Sequence, residues 1–143
     1  MDNNHLKIDK SLLQAYERAD YVVPEIGEIL HIGKLHPLLD AFLEQHLYEQ
    51  WAFISAFNPY SNVKDEQWNK ERQQELKTLL LKEGYAFLEA YGKDPEGEWP
   101  PEDNFLVMDI SEERAVAMGK VFKQNAILVG KRGGAVRLVF CIE

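Results

Sequence analysis

The apolar positions of this chain are densest at residues 51–57, Trp-Ala-Phe-Ile-Ser-Ala-Phe, and that stretch sets how its surroundings are read. It lacks the alternation of a strand with one wet face, so it predicts a strand covered on both faces near the middle of a sheet. Asn58-Pro59 then forces a turn. Upstream, Leu12, Leu13, Tyr16 and Ala19 recur at helical spacing behind Asp9 or Ser11 as N-cap, predicting a short amphipathic helix over 9–20. Tyr21-Val22-Val23 is a brief strand stopped by Pro24, and residues 28–32 suit a second strand near an edge, ended by Gly33. Pro37 opens the next helix, whose stripe is Leu39, Phe42, Leu43 and Leu47.

Beyond the turn, Asn62 or Asp65 caps a helix running to Gly84. At about 100° per residue, its apolar stripe of Trp68, Leu76, Leu79 and Leu80 also carries Asn69 and Arg72. A guanidinium on a buried stripe must meet a carboxylate, backbone carbonyls or a ligand, because an unpaired buried charge is strongly destabilising. Residues 85–91 predict a strand, and 93–104 a long loop dense in Pro, Gly and carboxylates. Residues 105–110 predict another strand. Ser111 caps a helix with Glu112 and Glu113 in its first turn and Ala115, Met118, Gly119 and Phe122 facing the core. Strands at 126–129 and 135–142 are joined through Gly133-Gly134 as an antiparallel hairpin. The expected class is α/β, with α+β as the alternative: a single domain over 1–143 holding a mixed sheet of about six strands flanked by about four helices.

Composition narrows the partners. A net charge of −8, with sixteen Lys and Arg scattered along the chain, disfavours nucleic acid. One cysteine allows no internal disulfide and suits a reducing compartment. No secretory pattern is present at residues 1–5, and no run approaches the ~20 apolar residues that span a bilayer, so a cytoplasmic protein without a membrane partner is expected. His5, His31, His36 and His46 show no paired ligand spacing, and Asp94, Glu96, Glu98, Glu102 and Asp103 lack calcium-loop spacing. Neither a metal nor a cofactor is signalled.

Candidate chemistry gathers at the ends of the expected elements. Open α/β sheets bind ligands beyond the carboxyl ends of central strands, where Asn58 and Ser61 fall. With Asn69, Arg72, Glu102, Gln124 and Asn125 they can form a polar pocket. In it Arg72 clamps a phosphate or carboxylate, the amides orient it, and Glu102 is an acid, a base or the partner of Arg72. The expected function is binding of, or modest catalysis on, an anionic metabolite or nucleotide. Two alternatives stay open: the same residues as an internal hydrogen-bond network, and an interaction module that meets a protein partner through the acidic loop around Trp99.

Tyr16-x-x-Ala19-x-Tyr21, residues 55–61, Asn69-x-x-Arg72, residues 98–102 and residues 122–126 together resemble a bacterial family catalogued as domain of unknown function 3293 (DUF3293). The resemblance covers nearly the whole chain. The family pattern has Trp at Phe57, Gly at Lys123 and Ser near Asn104. It implies no activity.

Overall fold

The structure, a computed structural model, describes residues 9–142. Helix α1, Lys10–Arg18, starts where Asp9 accepts the Leu12 N–H, and leads into strands β1, Asp20–Val23, and β2, Glu28–Leu30. Helix α2, Pro37–Gln45, precedes the buried strand β3, Gln50–Ile54, and a 3₁₀ turn at Pro59–Ser61. Helix α3, Glu66–Lys82, is capped by Asp65 and followed by β4, Phe87–Lys93, and β5, Glu102–Met108. Helix α4, Glu112–Val121, capped by Ser111, leads to the hairpin of β6, Ala126–Lys131, and β7, Arg137–Phe140.

The expected class, helices packed on a sheet in one domain, holds, with two corrections. The strands number seven, in the order β2-β1-β4-β5-β3-β6-β7. Their pairings are all antiparallel, not mixed. Helical crossovers do join strands that run the same way, as expected of such connections. Each nevertheless skips an odd number of positions: α2 leads from β2 to β3 with β1, β4 and β5 between them, α3 from β3 to β4 with β5 between them, and α4 from β5 to β6 with β3 between them. Adjacent strands all run oppositely, so parallel strands never touch. Residues 50–131 thereby form a split β-α-β-β-α-β unit of ferredoxin-like order.

Two apolar layers sandwich this sheet. Ala52 and Ile54 face one way with Phe105, Val107, Ile127 and Val129, covered by Leu76 and Leu80 of α3 and Ala115, Met118 and Phe122 of α4. Trp51 and Phe53 face the other way with Leu106, Met108 and Leu128, covered by Leu39 and Leu43 of α2 and by Tyr21, Val23 and Leu30. Gly130 of β6 admits the indole of Trp51; a Cβ there would lie 2.5 Å from Trp51 Cζ2.

Three expectations shift. Leu47 is 80% exposed and left-handed at φ 63°, because α2 has already ended at Gln45. Glu102, Asp103 and Asn104 belong to β5, which leaves 94–101 as the loop. The last strand begins at Arg137 rather than at residue 135. No helix among the described residues is long and apolar enough to cross a membrane.

Candidate functional site

Where β3 ends, side chains take over from the ladder. Ser55 Oγ donates to the Asp103 carbonyl at 2.6 Å and accepts the Phe57 N–H at 3.0 Å. The chain then turns through Asn58, Tyr60 and Ser61 at φ 46°, 52° and 63°, a left-handed region that non-glycine residues seldom enter. Such residues cost on the order of 1–3 kcal/mol each and persist only where the surroundings hold them. The holding groups are identifiable. Asn69 Oδ1 accepts the Asn58 N–H at 2.9 Å, and Asn58 Oδ1 accepts Asn69 Nδ2 and the Lys64 N–H, each at 2.9 Å. Tyr60 N–H donates to the Lys123 carbonyl, Gln124 Nε2 to the Phe57 carbonyl at 3.0 Å, and Asn125 Nδ2 to Ser61 Oγ at 2.9 Å. Lys123 is itself left-handed at φ 57°, a backbone shape that glycine adopts without strain.

This knot forms the polar end of a cavity of about 290 Å³ between α1 and the sheet face that carries Phe53, Ser55 and Leu128. Leu12, Ala15, Tyr16 and Ala19 supply the helical wall; Tyr21, Phe57, Trp99 and Leu138 add to an apolar body. Ser61 and Val63, which also line it, are exposed, so the cavity reaches the surface beside the turn. Helix α1 contains no buried residue; its apolar side faces this space instead of a filled core. It is tied down at its end, where Arg18 reaches Glu98 at 3.1 Å and Asp94 at 3.5 Å, and where the Tyr21 hydroxyl donates to the Tyr16 carbonyl at 2.7 Å. Burial works against the Asp94 carboxylate, but the Glu96 and Glu98 N–H groups and Arg18 outweigh it and hold its pKa below the ordinary range.

The charge in the cavity is negative. Glu102 accepts from Asn58 Nδ2 at 3.0 Å; burial pushes its pKa up, and that hydrogen bond pulls it part of the way back. Burial, helped by the nearby Glu102 charge, pushes the Tyr16 hydroxyl up to about 12 against the lowering influence of the neighbouring Ser61 and Asn125 side chains. Tyr21 is raised by burial and by the Tyr16 and Glu102 charges. No Lys, Arg or His is among the described residues that line the space.

Of the residues singled out from sequence, Asn58, Ser61, Glu102, Gln124 and Asn125 come together along this cavity. Asn69 stands one layer behind, fixing Asn58. Arg72 is not brought to it. Its guanidinium lies between the rings of Trp68 and Phe122, 5.6 and 5.2 Å from their centroids, and pairs with Glu75 at 3.0 Å. Pairing with Arg72, one of the roles open to Glu102, is therefore not formed, since a long side chain carries its charge away from the stripe on which its Cα sits. Tyr16, Tyr21, Phe53 and Asn104 line the cavity without having been singled out from sequence, and Trp99, offered as a partner anchor only in the alternative reading, packs into the second core layer. The signal available was the apolar stripe of α1 that carries Tyr16 and Ala19.

A model of the family described as "Protein of unknown function (DUF3293)" matches residues 54–127, from the end of β3 to the start of β6. The matched segment holds the turn, Asn69, Arg72, Trp99, Glu102, Gln124 and Asn125, while α1 precedes it. Neither a curated protein nor a solved structure matches the chain.

Proposed function

The chain belongs to the DUF3293 family, and we propose that it is a small-ligand-binding protein whose site is the cavity under α1. The observation that carries this reading is the lining: a mainly apolar, aromatic body with a few convergent polar groups at one end, the composition of small-molecule sites in general. A volume of about 290 Å³ suits a ligand of one or two rings. An anionic metabolite held by Arg72 is the less favoured form of the proposal, because Arg72 lies outside the cavity and Glu102 would repel it. An interaction module built on Trp99 is also less favoured, since that ring points inward.

The test is ligand-observed NMR with indole and 2-phenylethanol as probes, on wild type and on Ala15→Phe, which fills the space from the α1 side. Saturation transfer that disappears in a folded Ala15→Phe variant supports the site. Transfer that is equal in both places the probes elsewhere and removes the reading.

A further inference from the structure

Resting on the binding reading above, we infer that the ligand of this cavity is an organic cation, an amine or ammonium group carried on an apolar body, with Glu102 as its counter-ion and the surrounding rings as its cage. The rings of Tyr16, Tyr21, Phe53, Phe57 and Trp99 all line the space, with Tyr21 and Phe53 packed edge to face at 5.5 Å between centroids. Aromatic faces carry partial negative charge and attract cations, most strongly where water is excluded.

Glu102 supplies the second, independent half. A carboxylate offers about four acceptor positions. Among the described residues Glu102 receives one side-chain hydrogen bond, from Asn58, and no salt bridge. Three of the protein's own cations in this part of the fold are engaged elsewhere. Arg18 is held by Asp94 and Glu98, Lys70 by Asp103 at 2.6 Å, and Arg72 by Glu75 and two rings. A carboxylate half removed from water without a counter-charge is unfavourable, and a ligand that brings the missing charge relieves it. A neutral ligand forfeits that gain, and an anion meets repulsion from Glu102 as well as from a chain of net charge −8.

A charge series of similar shape separates this from the binding reading itself: 2-phenylethylamine, 2-phenylethanol and 3-phenylpropanoate, each titrated by calorimetry into wild type, Glu102→Gln and Trp99→Leu. The amine is expected to bind wild type at least tenfold more tightly than the alcohol, with the carboxylate weakest. Glu102→Gln should abolish that preference, bringing amine and alcohol to equal affinity, and Trp99→Leu should reduce it several-fold. Equal affinity for amine and alcohol in wild type, or a preference for the carboxylate, overturns the cation inference but leaves a binding cavity. An amine preference that survives Glu102→Gln also overturns it. Absence of binding by all three removes both readings. If Glu102→Gln does not fold, the wild-type comparison of amine with alcohol decides.

Discussion

Asn58 Nδ2 lies 3.0 Å from Glu102 Oε2, so one hydrogen bond joins the left-handed turn after the central strand to the first residue of β5. Its donor cannot be replaced by an acceptor of the same shape. Asn58→Asp keeps the oxygen that accepts from Asn69 and Lys64 but sets two carboxylates face to face. A loss of roughly 1–3 kcal/mol is expected at pH 7, from a hydrogen bond removed and a like-charge pair created. The loss should shrink near pH 4, where the carboxyls share protons; urea unfolding at both values measures it.

Glu102 itself should make stability depend on pH. Its folded-state pKa is raised by burial, so its contribution is fully present below the unfolded-state value and is lost as pH rises through the folded one. Tyr16 and Tyr21, the titratable groups whose charges couple to it, are raised too and stay protonated through this range. Glu102→Gln retains an oxygen for Asn58 Nδ2 without the charge. The unfolding free energy of the variant relative to wild type, taken without ligand, should therefore rise from pH 4 to pH 7. A flat or falling difference would show that the ionised form is not penalised.

The extent to which this architecture was legible follows from the range of each interaction. Helix starts depend on neighbours three residues away, and Asp9, Asp65 and Ser111 do accept the N–H groups of Leu12, Trp68 and Arg114. The burial of residues 51–57 follows from their almost unbroken apolarity, interrupted only at Ser55. Strand order depends on partners far along the chain, and nothing in periodicity says that α3 and α4 each skip a strand; hence the antiparallel pairing was missed. The rule that sites follow the carboxyl ends of parallel strands does not apply to this sheet, although Asn58 and Ser61 do lie against the cavity. Amides at element ends were visible as unusual. The role of Tyr16 was not, because an apolar stripe looks the same over a packed core as over an open space.

Arg72 gives the clearest contrast between helical position and side-chain position. Since it stacks between Trp68 and Phe122 and pairs with exposed Glu75, Arg72→Ala should cost about 0.5–2 kcal/mol through lost ring contacts, with little from the ion pair. Titration of 2-phenylethylamine into the variant should give an unchanged affinity. A variant that folds as well as wild type but loses the amine would move the site to α3.

Gly130 and Trp51 should be strongly coupled across β6 and β3, whose register sets these two residues opposite one another. A Cβ at position 130 would approach Trp51 Cζ2, Cε2 and Nε1 to within 2.5, 2.6 and 2.8 Å, against a buried indole. Gly130→Ala should therefore destabilise by about 1–3 kcal/mol, the usual cost of overfilling a core. Trp51→Phe removes the atoms that clash and leaves a cavity of its own. With independent effects the double variant would lose the sum of the two. The geometry instead predicts that Gly130→Ala costs much less in the Trp51→Phe background, with a coupling on the order of 1 kcal/mol or more in a urea double-mutant cycle. Additive losses would mean that the indole does not lie over Gly130 in solution.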